Sequence, residues 1–288
     1  MVAAKVDDEL FAVPALDGYG DLSAVVTDWA AVAPRLREWD PADARPIGLC
    51  TLLAPLRSPG KLVCAAANYL SHLQELGFPN LPDGWEPYFF LLPPTSVIGP
   101  GDPIVIPDEP DAQVDWEAEL AVVIGSPARN VPVERALEHV AAYTIVNDVS
   151  ARGRLARTNP LAPPFAYDWL GSKGRDTFSP LGPSLTPSWF VDDPQELTVR
   201  LWLNDELRQD GTTADMIFTV AQLISSLSQE MTLQPGDVLA TGTPAGVGLA
   251  SGSFLADGDR IRIEIGALEA LENTVLTESR ADLMSTGA

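Results

Sequence analysis

Apolar residues along most of this chain occur in short continuous runs, and runs of this length predict buried β-strands. One segment differs, because DRIRIEIG alternates apolar and charged residues, which predicts a strand with one exposed face. The predicted strands are KLVCAA (61–66), ELAVVIG (119–125), VAAYTIVN (140–147), LTVRLWLND (197–205), DVLATG (237–242) and DRIRIEIG (259–266).

Helical spacing of apolar residues is confined to two regions. Residues 21–40, DLSAVVTDWAAVAPRLREWD, form the first. In the second, Asp215 is predicted to cap a helix over 216–229, which the turn LQPGD then ends. The sequence therefore predicts a β-rich mixed α+β fold with few helices, with a small N-terminal segment over residues 1–60 and a main domain over 61–280.

Composition narrows the class of protein. The chain has 288 residues, 46% of them hydrophobic, and a mean hydropathy of +0.07, as expected of a globular protein. Its 40 acidic and 18 basic residues give a net charge of −22, which disfavours nucleic acid and anionic membranes as partners. The sequence has two cysteines, no recognisable signal peptide and no apolar run of the roughly 18 residues that span a membrane. These features predict a cytoplasmic protein.

Carboxylates are concentrated at the ends of two predicted strands. In QVDWEAELAVVIG, residues 113–125, Asp115, Glu117 and Glu119 occupy alternate positions, which face the same side of a strand. Asp148 directly follows the apolar segment VAAYTIVN. Like charges held together in buried surroundings are unfavourable unless a proton or a cation intervenes.

Two explanations are open for these acids. The chain has only three lysines to neutralise them, and a divalent cation with oxygen ligands, such as Mg²⁺, would relieve the repulsion. Alternatively, the acids are solvated at the strand ends or pair with arginines such as Arg152 or Arg175. The spacing alone does not decide between these explanations.

A histidine and a glutamate form a second candidate group. His72 and Glu75, in NYLSHLQELG, lie three residues apart and share a face on a helical turn. A carboxylate that orients a histidine makes a general base near neutral pH. The same spacing is also typical of a surface contact of little energetic value. The second histidine, His139, has the setting of an ordinary helix-face residue.

Six segments together resemble a known family. They are CAAANYLSHLQELG, LLPPTSVIGPGDPIVIP, DWEAELAVVIG, YTIVNDVSAR, KGRDTFSPLGPSL and TLQPGDVLATGTPAGVG. In content and order they are similar to the fumarylacetoacetate hydrolase (FAH) family, and specifically to its bacterial 2-hydroxyhepta-2,4-diene-1,7-dioate isomerase-like branch. The resemblance covers residues 61 to about 275. It implies a rolled, mostly antiparallel FAH-type β-structure, usually a homodimer, with 61–280 as the catalytic domain.

The resemblance also implies roles for the two candidate groups. Glu117, Glu119 and Asp148 match the family's metal ligands, typically for Mg²⁺ or Mn²⁺. His72 and Glu75 match the dyad that activates water or moves a proton. Glu117, Glu119, Asp148, His72 and Glu75 therefore all fall at positions that the family uses.

Further residues match the surroundings of the family's substrate. Lys173, in KGRDT, matches a lysine that stabilises an oxyanion or enolate, and Thr243, in TGTPAGVG, matches a threonine near the substrate. Tyr69 is assigned to the substrate by the same resemblance. Arg152 belongs to the family's SAR element, where we interpret it as a structural group more readily than a catalytic one.

Three positions depart from the family's pattern. Leu92 stands where many members have a lysine, and Gly153 and Leu155 replace the aspartate and glutamine that follow SAR in many others. Either other residues compensate for these changes, or the pocket accepts a more apolar or neutral substrate. We favour the second interpretation, with Leu92 and Leu155 as pocket residues.

The implied function is a divalent-metal-dependent hydrolase that cleaves a C–C bond in a β-diketone or acylpyruvate-like substrate through a metal-stabilised enolate. Products of aromatic ring cleavage are expected substrates. The same enolate would serve a decarboxylase, or an isomerase or tautomerase of a 2-oxo acid or 2-hydroxy-dienoate. A third hypothesis is a catalytically silent protein that binds such a ligand. The presence of all six residues that match the family's metal ligands, dyad and lysine argues against it: Glu117, Glu119, Asp148, His72, Glu75 and Lys173.

Overall fold

Two β-sheets, of seven and five strands, contain most of the strands of the protein. The computed structural model describes residues 1–6, 9–48 and 50–286. Its strands are β1 (Ala4–Val6), β2 (Glu9–Phe11), β3 (Leu62–Ala66), β4 (Tyr88–Leu92), β5 (Val97–Ile98), β6 (Ile104–Ile106), β7 (Val114–Asp115), β8 (Ala118–Ile124), β9 (Val140–Asn147), β10 (Ser150–Ala151), β11 (Ser179–Pro187), β12 (Thr198–Leu203), β13 (Glu206–Thr212), β14 (Val238–Ala240), β15 (Arg260–Ile265) and β16 (Leu271–Thr277). Its α-helices are α1 (Leu22–Thr27), α2 (Trp29–Arg37), α3 (Leu70–Glu75), α4 (Trp169–Lys173), α5 (Val220–Glu230), α6 (Gly248–Ser251) and α7 (Glu278–Thr286). Within these described residues, no helix is long and apolar enough to cross a membrane.

The larger sheet has seven strands in the order β4-β3-β14-β8-β9-β11-β5. Neighbouring strands are antiparallel except for the pairs β3–β14 and β11–β5. Every residue of β8 and β9 is buried, which explains why their sequences are continuously apolar instead of alternating. The predicted strands at 61–66, 119–125, 140–147 and 237–242 are confirmed as β3, β8, β9 and β14.

The second sheet has five strands in the order β13-β12-β15-β16-β6 and contains the other two predicted strands. In β15 the isoleucines Ile261, Ile263 and Ile265 are buried, whereas Arg260 and Arg262 are exposed. The alternating segment therefore has one exposed face, as predicted. The fold is the β-rich mixed α+β structure that the sequence indicates.

Strand β8 separates two parts of the hydrophobic core. Its residues Leu120, Val122 and Ile124 belong to the main core cluster, which also contains apolar residues of β12, β15 and α5. Ala121 and Val123 face the opposite side and pack in a second cluster with residues of β3, β4 and β14. Because side chains alternate along a strand, Glu119 at the start of β8 lies on the same face as Ala121 and Val123.

Helix α5 begins later than predicted. We expected Asp215 to cap a helix over 216–229, but the cap is Thr219, whose Oγ1 accepts a hydrogen bond from the Gln222 amide at 3.2 Å. The Gln222 side chain in turn accepts from the Thr219 amide at 2.9 Å, and this reciprocal capping box sets the start of the helix. Asp215 instead accepts a hydrogen bond from the amide of Ser71 at 2.9 Å.

The helical pattern at residues 21–40 corresponds to α1 and α2, which meet at Asp28. Both helices contribute to a third hydrophobic cluster that is formed by N-terminal residues alone. Val26 of α1 nevertheless packs in the second core cluster with Leu62, so the N-terminal segment also contacts the main body. The division of the chain at residue 60 stays a prediction.

Candidate active site

Three buried carboxylates meet where β8 begins and β9 ends. Glu117 directly precedes β8, Glu119 is its second residue, and Asp148 directly follows β9. The strands are antiparallel, with Ala118 opposite Asn147, so the start of one lies beside the end of the other. One oxygen of each acid lies within 4.8 Å of an oxygen of the other two. The structure thus brings the three predicted metal ligands together, and we call them the carboxylate cluster.

Asp115, the first of the alternating acids, lies outside this cluster. The extended segment is interrupted between β7 and β8, and β7 pairs with β10. One oxygen of Asp115 accepts a hydrogen bond from Arg152 Nε at 2.7 Å, and the other accepts from the Leu249 amide at 2.8 Å. Asp115 therefore stays near Glu117, since both acids accept from Arg152, but it does not join the three carboxylates that meet.

Two cationic side chains contact the carboxylate cluster. Lys173 Nζ donates to Glu117 at 2.7 Å and to Asp148 at 2.8 Å, so one of the few lysines does lie among the acids. Arg152 donates to the other oxygen of Glu117. Pairing with arginine therefore applies to Asp115 and Glu117, which share Arg152, whereas Arg175 pairs with a glutamate of α7 instead.

Burial acts to raise the pKa of all three carboxylates, and neighbouring charged groups either add to this effect or oppose it. Burial raises the pKa of Asp148 to about 6 although Lys173 opposes the shift. Burial, and then the charge of Asp148, hold the pKa of Glu119 well above its usual value. Burial would also raise the pKa of Glu117, but Lys173 and Arg152 outweigh it and lower the pKa to about 2. The cluster therefore retains repulsion that a further cation would relieve.

The donor set fits a hard divalent cation. All three ligand atoms that the carboxylate cluster offers are carboxylate oxygens, the type that Mg²⁺ and Mn²⁺ prefer. Asp148 Oδ1 is buried and has no hydrogen-bond partner among the described residues. An unpaired buried oxygen is costly, and coordination to a cation would satisfy it.

The predicted dyad lies beside the carboxylate cluster. His72 Nδ1 lies 2.7 Å from Glu75 Oε1 on α3. Because a carboxylate oxygen accepts, Nδ1 carries the proton and Nε2 has a free lone pair. His72 lies near enough to Glu117 that an imidazolium at this position would lower the pKa of that carboxyl. His72 is only 7% exposed, so the alternative of a surface contact is wrong.

A glycine-containing loop holds acids of both groups through its backbone. In this loop, residues 241–248, the amide of Gly242 donates to Glu119 and that of Gly246 donates to Glu75, each at 2.8 Å. Both glycines have positive φ, +92° and +104°, and a Cβ at Gly246 would lie 2.1 Å from a backbone oxygen of β13. Glycine is therefore required at this close approach.

Thr243 is anchored in the same loop by a residue that the sequence did not identify. Thr243 Oγ1 donates to the carbonyl of Ala118 at 2.9 Å and accepts from Gln209 Nε2 at 2.8 Å. The buried Gln209 side chain also donates to the Pro244 carbonyl at 2.8 Å and accepts from the Ala118 amide at 3.0 Å. One side chain of β13 thus connects the second sheet, the loop and the residue between the two glutamates of the cluster.

The other residues assigned to the substrate differ in their surroundings. Tyr69 is fully buried at the start of α3, and its pKa is raised by burial and then by the charge of Glu119. Leu92 is 4% exposed and packs in the second core cluster, opposite Leu62. Leu155 is half-buried just after the helical turn that contains Arg152. Contact of any of these side chains with a substrate stays a prediction.

Comparison with known proteins identifies the family. Residues 61–276 match the family model described as "Fumarylacetoacetate (FAA) hydrolase C-terminal". The chain therefore belongs to the FAH family, which confirms the resemblance seen in the six segments. It is 42% identical over 228 residues to "Oxaloacetate tautomerase fahd2, mitochondrial" of Xenopus laevis, an alignment that covers 78% of this chain and 68% of the relative.

Solved structures share the same fold. A putative HpcE protein from Mycobacterium smegmatis matches with a TM-score of 0.81 and 31% identity over 96% of both chains. A 2-hydroxyhepta-2,4-diene-1,7-dioate isomerase from Mycobacterium marinum matches with a TM-score of 0.65 and 34% identity over 83% of this chain and 81% of that one. A maleylpyruvate hydrolase from Sphingobium sp. SYK-6, in complex with manganese(II) and pyruvate, matches with a TM-score of 0.76 and 32% identity. This match covers 96% of this chain and 95% of that one. The chain thus belongs to an enzyme family whose members include hydrolases, isomerases and tautomerases.

Proposed function

We propose that this chain is a divalent-metal-dependent enzyme that catalyses the keto–enol tautomerisation of a 2-oxo acid. The observation that supports this most directly is that Glu75, which orients His72 at 2.7 Å, is held by the same loop that holds Glu119 of the carboxylate cluster. A base next to a chelating site is what proton transfer at the carbon beside a carbonyl requires. The 42% identity to a relative named as an oxaloacetate tautomerase supports this choice within the family.

The carboxylate cluster is the proposed site of Mg²⁺ or Mn²⁺. Glu117, Glu119 and Asp148 would hold the ion, and the related maleylpyruvate hydrolase is known in complex with manganese(II) and pyruvate. When bound, a divalent ion supplies a Lewis acid that polarises the carbonyl of the substrate.

His72 moves the proton in the proposed reaction. Its Nδ1 is bonded to Glu75, so Nε2 is the atom that accepts a proton from the substrate carbon beside the carbonyl. The electrons of the broken C–H bond shift to the carbonyl oxygen and give an enolate. The imidazolium then returns the proton to that oxygen, so the substrate isomerises and His72 ends in its starting form.

Lys173 stabilises the negative charge that develops during this transfer. An ammonium has three N–H donors, of which two are used by Glu117 and Asp148, so the third is available for a substrate oxygen. Burial alone would lower the pKa of Lys173, but Asp148 and then Glu117 raise it above its usual value. The side chain therefore stays cationic in a site where charge interactions are strong.

Hydrolytic cleavage of an acylpyruvate is the second candidate. It is favoured by the similarity to a maleylpyruvate hydrolase over 96% of this chain. In that reaction His72 takes a proton from water, and the hydroxide adds to the distal carbonyl carbon. The C–C bond then breaks, its electrons pass to the enolate of the pyruvate half, and the His72 imidazolium gives its proton to the carbon of this enolate.

Deuterium exchange distinguishes the two candidates. With Mg²⁺ or Mn²⁺ in D₂O, the tautomerase is expected to place deuterium at C3 of a 2-oxo acid faster than the enzyme-free control, without C–C cleavage, as followed by NMR. The His72→Ala variant should lose about a hundredfold or more of this rate. His139→Ala removes the only other histidine, whose Nδ1 contacts Ser126, and should keep the rate.

Other outcomes of this experiment are equally decisive. Release of pyruvate from an acylpyruvate, with no exchange into intact 2-oxo acids, would favour the hydrolase. Exchange that persists unchanged after chelation of divalent ions would rule out the metal-dependent mechanism. A rate equal to background for every substrate would reject both candidates.

A further inference from the structure

Three aromatic side chains lie together where β4 meets the start of α4. We call them the aromatic shelf: Tyr88, Phe90 and Trp169. The rings of Phe90 and Trp169 are stacked with centroids 5.0 Å apart, and the ring of Tyr88 lies 5.8 Å from that of Trp169. Tyr88 and Phe90 are two residues apart on β4, so they share a face. Trp169 is the first residue of α4, and Lys173 is the last.

The aromatic shelf adjoins the proposed catalytic groups. Lys173 Nζ lies 5.7 Å from the centroid of the Phe90 ring while it donates to Glu117 and Asp148. A small molecule whose oxygens reach the third donor of Lys173 therefore has its remaining atoms within reach of the Phe90 ring. The shelf is thus continuous with the site that the proposed function uses.

The shelf is accessible to a ligand. Tyr88 is 47% exposed, and Phe90 and Trp169 are half-buried. A neighbouring apolar side chain, that of Leu170 on α4, is 63% exposed. Apolar surface of this kind beside a polar site is typical of a binding surface, because a ligand that covers it removes it from water.

The two chain segments that contain the aromatic shelf, residues 78–98 and 150–175, offer no unpaired cation to a second carboxylate. Residues 78–98, which contain β4, include no lysine or arginine. Every lysine and arginine between positions 150 and 175 is already ion-paired. These pairs are Arg152 with Asp115 and Glu117, Arg154 with Glu109, Arg157 with Asp168, Lys173 with Glu117 and Asp148, and Arg175 with Glu278.

We infer that the site selects 2-oxo acids whose distal substituent is apolar, preferably an aromatic ring, over 2-oxo dicarboxylates. This inference rests on the proposed function for the position of the oxo-acid end. An aryl group can pack against Tyr88 and Trp169, whereas a distal carboxylate would lose water next to the shelf without gaining a cation. The relatives named for oxaloacetate and for a 1,7-dioate act on dicarboxylates, so this chain differs from them in substrate class.

Two unreactive ligands test this inference. N-phenyloxamate and N-oxalylglycine have the same oxalyl amide end, but one has a distal phenyl ring and the other a distal carboxylate. Calorimetric titration of the full chain with Mn²⁺ present should give a dissociation constant at least about tenfold lower for N-phenyloxamate. The Trp169→Ala variant should lose most of this preference, and Trp169→Phe should keep most of it.

The Trp189→Ala variant is the matched control. Trp189 is also half-buried and stacked on another aromatic ring, that of Trp29 at 5.6 Å, but it belongs to a different part of the fold. It should keep the wild-type preference. Equal or tighter binding of N-oxalylglycine, no binding of N-phenyloxamate, or an unchanged preference in Trp169→Ala would each overturn the inference. Neither ligand can react, so this ranking is independent of turnover, and a failure of deuterium exchange would count against the proposed function alone.

Discussion

At the scale of single residues, the charge balance of the site depends on Lys173. This side chain is 2% exposed and bonds to two acids of the carboxylate cluster, Glu117 and Asp148. Arg152 contacts only one of these two acids. Removal of the ammonium would therefore leave Asp148 buried without any cationic partner. Lys173 is thus expected to contribute to stability as well as to the proposed reaction.

Replacement of Lys173 by methionine should lower the free energy of unfolding by about 3 kcal/mol, because it leaves a buried carboxylate unpaired. Urea denaturation of the metal-free protein measures this change. Lys61→Met is the control, since Lys61 also pairs with a buried acid, Asp237, at 2.6 Å, but its side chain is 25% exposed. Its loss should be about 1 kcal/mol or less. Equal losses in the two variants would contradict a special role for Lys173.

At the scale of elements, the loop 241–248 connects the two halves of the proposed machinery. Its amides bind Glu119 of the carboxylate cluster and Glu75 of the dyad. Gln209 holds this loop through Thr243 and Pro244. We therefore expect the position of Gln209 in β13 to affect the reaction although it contacts no proposed reacting group.

The Gln209→Leu variant should lower stability by about 2 kcal/mol, because backbone groups that it satisfies lose their buried partner. It should also lower kcat by about tenfold or more through displacement of the loop, with a smaller change in KM. Steady-state kinetics and urea denaturation measure the two effects.

Gln195→Leu is a matched control for the same experiment. Gln195 also bonds to backbone groups, the Thr213 carbonyl at 3.1 Å and the Val220 amide at 2.8 Å, but these lie in a turn that precedes α5 and at the first residue of α5. It should lose stability and keep kcat. If both variants lost kcat equally, the loss would reflect general destabilisation and not the position of the loop.

Elements with a strong local pattern were predictable, and those set by distant contacts were not. The apolar runs of β8 and β9 identify buried strands without any tertiary information. The start of α5 was not predictable, because Asp215 and Thr219 are both good caps in sequence. Only the fold shows that Asp215 binds the amide of Ser71 instead. Gln209 was missed for the same reason, since a glutamine in the polar segment ELRQDGT carries no local sign of burial.

At the scale of the whole molecule, the site depends on both sheets. The seven-stranded sheet supplies the carboxylate cluster, and the five-stranded sheet supplies Gln209. The sequence identified the three acids as a group, but their separation from Asp115 required the break between β7 and β8. The net charge of −22 is unfavourable for an anionic substrate, and a bound divalent ion would reverse the field locally.

The most direct test of this account is the position of a bound metal ion. Crystals of the full chain grown with Mn²⁺ should give an anomalous difference peak at the manganese edge, coordinated by oxygens of Glu117, Glu119 and Asp148. Absence of a peak at these three carboxylates under saturating Mn²⁺, with the acids held only by Lys173, Arg152 and the loop amides, would contradict the account.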